Sequence, residues 1–291
     1  MRHSVEKLIG GRRAARRDAR WVALALATAV ATLGVAPSAL AASKNKELFA
    51  KFADCPIHTA AVCVVSYTTG GEFVIGNKAV PIEKTVTLQG GLETSSFEQQ
   101  PLLGATNADT LSQTPLTVPG GLLGIAGLGG EVTATAELAG PASSVTIDRR
   151  ALVFREPSVT LPIKVKLSNP ILGEECYIGS DADPIVLHLT TGTTSPPAPG
   201  KSISGSVGSE QGLDKGKIQY IEATIVDNDF AVPGAQGCGG ALSPVVDLLV
   251  DADVGIPAAA GKSSAVMKST LYETKAEYAA KYIPKEKKPK K

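Results

Sequence analysis

Across residues 159–167 the chain alternates without a break. Val159, Leu161, Ile163, Val165 and Leu167 fall on one side, and Thr160, Pro162, Lys164 and Lys166 on the other. A helix would scatter those aliphatics around its surface, so period two predicts a strand with one buried and one wet face. Pro162 has no N–H to give to a ladder, which predicts an edge strand or a bulge there. Asn169-Pro170 ends the pattern. After Cys176 a second alternation begins, with Ile185, Leu187 and Leu189 set against Val186, His188 and Thr190. Residues 158–191 therefore read as two strands around a cysteine-bearing turn, the part on which the rest of the chain is expected to be built.

Further strand patterns flank this unit. Residues 62–67 are a β-rich apolar run. Thr68 to Gly71 reads as a turn and residues 72–75 as the returning arm of a hairpin. Short strands are predicted at 80–82 and 85–88, the latter closed by Gln89-Gly90-Gly91. Residues 92–119, with Pro101, Pro115 and Pro119, read as long loop. In 131–138, Val132, Ala134, Ala136 and Leu138 share an inner face, and 144–147 is expected to pair back on it after Ala139-Gly140-Pro141. The proline-rich 193–201 reads as a rigid connection. Beyond it lie strand patterns at 203–207 and 217–227, with Ile221, Ala223 and Ile225 facing one way. A helix is predicted with Ser243 as cap and Pro244 in first position. Residues 271–283 fit a helix by the spacing of Leu271, Lys275, Tyr278 and Tyr282, and fit a strand by their Tyr and Thr content. Short strands separated by Gly/Pro turns predict a mainly all-β fold. The expected architecture is an antiparallel β-sandwich or flattened barrel with one or two short helices near the C-terminus.

The first 20 residues carry seven basic side chains against Glu6 and Asp18, and an apolar run ending in Ala39-Leu40-Ala41 follows. That order is a secretory signal with cleavage after Ala41. Retention of the run as an anchor is the alternative; either way the remainder is expected outside the cell, since the positive flank stays in. The chain divides into this signal (1–41), a body (42–283) and a Lys-rich tail (284–291), with a split of the body into two packed sub-domains near 140–155 left open. Loss of residues 1–41 leaves 22 basic against 26 acidic side chains, a net charge of −4. Arg149, Arg150 and Arg155 are then the only arginines. Such a balance excludes a nucleic-acid-binding surface.

Four cysteines in an exported chain predict two disulfides, and three pairings are possible. Cys55 and Cys63, eight apart, suit a local bridge, which leaves Cys176 for Cys238. The second would close a loop of about 60 residues and stabilise by roughly 3–4 kcal/mol. Thiolate zinc binding lacks the CxxC spacing it needs.

Catalytic motifs are not apparent in the sequence. The body has two histidines, His58 and His188, and no GxSxG or HExxH. His58 falls inside the Cys55–Cys63 loop, and His188 on the wet side of its strand. Asp181 and Asp183, Asp227 and Asp229, and Asp247, Asp251 and Asp253 form oxygen-rich groups without a calcium-loop pattern. They read as loop and cap residues, with one calcium ion as the alternative. Glu174-Glu175 reads as solvated turn charge. No catalytic, cofactor or metal residue is assigned.

The segments SNPILGEECYIG, PIVLHLTTGTTSPP and GCGG…VDLLVD…GIPAAAGKSSAV resemble a group of exported β-rich proteins of high-GC Gram-positive bacteria. The resemblance implies secretion and a β-rich body, and implies no activity. The reading that follows is a secreted or envelope-associated, non-catalytic structural or interaction protein, held to anionic envelope polymers by its Lys-rich tail. Two alternatives stand beside it. One is a membrane-active protein inserting the apolar run GGLLGIAGLGG, which opens on Gly120 and closes on Gly130. The other is a secreted hydrolase of unrecognised type, which requires a pocket where His or acidic groups converge.

Overall fold

The computed structural model describes residues 37–122 and 131–283. Residues 1–36 of the expected signal, most of the apolar run 120–130 and the Lys-rich tail lie outside the described residues. Helix α1 (Pro37–Ala50) spans the expected cleavage position at Ala41.

Antiparallel pairing organises everything that follows. The principal strands are β1 (Val62–Ile75), β2 (Lys78–Pro81), β3 (Val86–Leu92), β4 (Gln100–Gly104), β5 (Leu116–Thr117), β6 (Thr133–Leu138), β7 (Thr146–Ile147) and β8 (Pro157–Ser168). They continue as β9 (Tyr177–Ile178), β10 (Ile185–Thr190), β11 (Ser206–Val207), β12 (Gln211–Leu213), β13 (Ile218–Asp227), β14 (Ala235–Gln236) and β15 (Ser264–Lys275). Eight of them close into an antiparallel circuit, β1-β3-β4-β7-β8-β10-β13-β15 and back to β1. The others extend it at the rims: β2 on β1, β6 on β8 with β5 on β6, β9 between β8 and β14, and β11 and β12 on β13. The β-rich, antiparallel expectation is met.

The alternation in β8 holds: Leu161, Ile163, Val165 and Leu167 are buried, as are Ile185, Leu187 and Leu189 of β10 opposite. The edge expected from Pro162 is overturned. β8 is central, with β10 on one side and β6 and β7 in succession on the other. The N and C=O of a residue in a strand point to the same neighbour. The Pro162 carbonyl accepts from Ala139 N, so its missing N–H faces the junction where β6 ends and before β7 begins. No ladder bond is lost there.

The hairpin expected around Gly70-Gly71 is also overturned, because β1 is one continuous strand. On β15, Thr68 pairs with Ser269 and Gly70 with Lys268, which leaves Thr69 as an inserted residue. The insertion reverses parity. Val62 and Val64 face the main core before it, and Phe73 and Ile75 face the same core after it. Gly71 sits at φ +113°, and a Cβ there would lie 1.9 Å from the Val266 carbonyl oxygen.

Other segments depart from expectation for local reasons. β3 runs on through Gly90-Gly91, and the supposed loop 92–119 contains β4 and β5. The 144–147 segment contributes β7, which pairs with β4 and β8 and makes no hairpin with β6. Residues 264–275 are strand, followed by one turn of helix, α4 (Ala276–Ala279). Helix α3 (Ser243–Val254) carries Pro244 in its first turn, but Leu242 takes the cap position expected of Ser243.

A second apolar cluster lies on the opposite face of β1. Cys63 and Val65 point away from Val62 and Val64 and pack with Phe49, Phe52, Ile218, Ala276 and Ala279. Phe49 stacks on Tyr282 with ring centroids 4.5 Å apart. Both expected disulfides are present, Cys55–Cys63 and Cys176–Cys238. The first fastens the end of α1 to β1, and the second fastens the chain after β8 to the start of α3.

Candidate ligand-binding site

Between β7 and β8 lies a helix with little sequence signal, α2 (Arg149–Phe154). Asp148 caps it, its carboxylate accepting from Ala151 N at 2.7 Å, and Arg155 closes it in the left-handed conformation. Thr191 Oγ1 donates to the Leu152 carbonyl at 2.7 Å, so the helix is tied to the end of β10. A side chain at Gly192 would strike the Arg155 carbonyl oxygen at 2.1 Å, so that contact requires glycine. Held this way, α2 buries Ala151 and Leu152 and leaves Val153 and Phe154 53% and 64% exposed.

Beneath α2 the strand circuit encloses a cavity of about 100 Å³. Its walls include Leu88, Leu161, Leu189, Ile225 and Met267, with the small Ala136 and Ala223 leaving room. Three hydroxyls in the wall are paired. Thr68 Oγ1 and Ser269 Oγ lie 2.8 Å apart, and Ser158 Oγ donates to the Leu189 carbonyl. Arg149, Leu152 and Leu271 also line an open groove of about 360 Å³ outside, where Phe97, Val153 and Phe154 form an apolar surround. The groove shares these three residues with the cavity as a common wall and is taken as its mouth.

Arg149 is the charged centre of this mouth, only 6% exposed. One terminal nitrogen reaches both Glu273 oxygens, at 3.1 and 3.0 Å, and the other reaches the carbonyls of Ser95 and Ser96 at 2.9 and 2.7 Å. The Phe97 ring lies 4.3 Å from the guanidinium carbon. Its Nε–H is buried and unpartnered among the described residues.

The residues singled out from sequence do not come together here. His58 is exposed in the disulfide loop, and His188 is exposed on β10, its Nδ1 3.4 Å from Thr160 Oγ1. Neither lines the cavity or its mouth. Among the described residues, no group of three or more His, Cys, Asp or Glu is placed to hold a metal ion. Several of the aspartates instead accept from the backbone or pair with lysines. Asp247 takes Cys238 N and Asp251 takes Ala235 N. Lys78 meets Asp253, and Lys164 meets Asp181 at 2.8 Å, a hydrogen bond that holds the Asp181 carboxyl below its ordinary range. Asp227 is 2% exposed and accepts from His188 N at 2.6 Å and Asp229 N at 2.8 Å. Burial nevertheless raises its pKa, because desolvation outweighs those two bonds. Glu174 and Glu175 are exposed.

A second apolar surface runs along α3, where Leu242, Val245, Leu248 and Leu249 are exposed while Val250 and Val254 are buried. None of the α3 helices' residues lines the cavity or its mouth. Comparison with family models, with curated proteins and with solved structures gave no match to this chain.

Proposed function

We propose that this chain is an exported, non-catalytic binding protein that takes a small apolar ligand into its strand-enclosed cavity through the mouth beside α2. The observation that carries this reading is an aliphatic interior that shares Arg149, Leu152 and Leu271 with an adjoining open groove, flanked by exposed Phe97, Val153 and Phe154. Burial of apolar ligand surface against such walls is favourable at about 25 cal/mol per Å². Two of the three carboxylates that line these spaces are already engaged, Asp148 with the Ala151 amide and Glu273 with Arg149, and neither histidine of the body lines them, which favours binding over hydrolysis. The eight-strand circuit acts in this reading as a closed barrel around its guest. The basic leader, the two disulfides and the resemblance to exported proteins support secretion. The Lys-rich tail would hold the protein at anionic envelope polymers, an attraction that salt weakens.

Titration with the apolar dye N-phenyl-1-naphthylamine tests the reading. Ala223→Phe fills the cavity, and Ala136→Leu does so by a smaller step. Saturable dye fluorescence is expected with the natural sequence and at least about tenfold weaker binding with Ala223→Phe, the loss of one apolar anchor. Equal affinity in folded variants and parent, judged by near-UV circular dichroism, would overturn it.

A further inference from the structure

Helix α3 turns a face to solvent that carries nothing ionisable. At about 100° per residue, Val245, Leu248, Leu249 and Ala252 share one arc of about 100°, and the buried Val250 and Val254 lie on the other side. Every exposed residue from Ala241 to Ala252 is Ala, Leu, Pro or Val, and Leu242, Val245, Leu248 and Leu249 are 50–69% exposed. The aspartates of α3 sit outside this arc and are engaged, Asp247 with Cys238 N, Asp251 with Ala235 N and Asp253 with Lys78. The four large side chains expose on the order of 400 Å² of apolar surface, a patch of the size that marks contact with another body.

A lipid surface fits this face poorly. Residues 218–261 contain no Lys or Arg, so the basic flank by which an interfacial helix meets lipid phosphates is missing, and aspartates border the face instead. A second copy of the chain fits it well. Near a two-fold axis each residue meets its own counterpart, so a face free of ionisable groups brings no like charges together. The midpoint of α3 falls between Leu248 and Leu249, which puts its most exposed side chain at such an axis. With the axis across the helices, the two run antiparallel and each dipole end lies beside the opposite one. We infer that two copies of this chain associate through α3, with Leu248 and Leu249 at the centre of the contact. Two such patches and their rims cover on the order of 1,000 Å², the size of a reversible interface and well short of an obligate one. None of these residues lines the cavity or its groove, so association does not rest on ligand binding.

Sedimentation equilibrium of the mature chain tests this. Reversible dimers with a dissociation constant of about 10–100 µM are expected from an interface of that size. They should persist at an ionic strength of about 1 M, where charge attraction is screened and apolar contact is not. Leu248→Glu and Leu249→Lys are opposite in charge and both at exposed positions. Each is expected to weaken association at least about tenfold, since either charge would lie against its own copy. A chain that stays monomeric at about ten times that dissociation constant would overturn the inference. Dimers untouched by both substitutions would do the same. Dimers lost in high salt would overturn it too, assigning the association to the Lys-rich tail against the acidic body. Flotation of a monomeric chain with phosphatidylcholine vesicles, abolished by Leu248→Glu, would replace the second copy with a lipid surface. Retained near-UV circular dichroism shows each variant folded; should one fail, the other and the concentration series on the natural sequence decide.

Discussion

Thr68 and Ser269 face each other across β1 and β15, hydroxyl to hydroxyl at 2.8 Å, immediately before the residue that breaks the register of the two strands. The pair marks the last position at which even-numbered residues of β1 face inward. Past Thr69, odd-numbered Phe73 and Ile75 take over. Gly71→Ala is expected to destabilise the fold by about 3 kcal/mol or more, since it combines a left-handed φ with a direct backbone clash. Urea denaturation midpoints measure this. A variant as stable as the parent would show that β1 does not need this conformation.

The two disulfides should differ in worth. Cys176–Cys238 spans 62 residues and Cys55–Cys63 spans 8. Loop-closure entropy gives about 4 kcal/mol for the longer and about 2.5 for the shorter. Paired Cys→Ala variants, unfolded in urea, are expected to fall in that order. The reverse order would mean that the Cys55–Cys63 bridge matters chiefly by holding α1 against β1.

Asp227 gives the fold an unusual pH response. Its pKa is raised by burial, so between its ordinary value and its raised one the folded state holds a proton that the unfolded state has lost. Stability from this group is full below about pH 4 and declines as pH rises through the folded pKa. Asp227→Asn should remove that decline. It should also cost about 1–3 kcal/mol, because the amide nitrogen faces one of the two backbone N–H donors that the carboxylate now accepts. Thermal unfolding of both proteins across pH 3–7 checks the two effects together.

Glu273→Ala strands the Arg149 charge beneath Phe97. Breaking a buried pair from one side costs about 3–5 kcal/mol; with Glu273 one-fifth exposed, the low end, about 3, is expected. Glu273→Ala/Arg149→Met should recover much of the loss. A single variant as stable as the parent would mean that water compensates the guanidinium.

Strand identity was legible wherever burial is one-sided, as in Leu161, Ile163 and Leu167 on β8 or Leu187 on β10, since period two is then imposed by the core. The cysteine pairing was legible because one pair lies close in sequence. Gly70-Gly71 misled because a bulge and a turn ask for the same residue, one that tolerates positive φ. Pro162 misled because its effect depends on what lies beside its nitrogen, and only the assembled sheet places the β6–β7 junction there. Pro101 hid β4 in the same way. The mouth was not legible at all: α2 has six residues, and its partners Phe97, Ile221 and Glu273 come from three distant parts of the chain. The Asp148 cap, three residues before Ala151, was its one local signal.

The stacking of Phe49 on Tyr282 brings the first helix and the last turn of the body to one spot on its outer surface. A leader would join at Pro37, twelve helical residues or roughly 18 Å from Phe49, so it and a charged extension after Tyr282 would leave the body within reach of each other. A short peptide could therefore join the two, with new ends opened at an exposed loop such as the one holding Gly216, and every strand pairing would be retained.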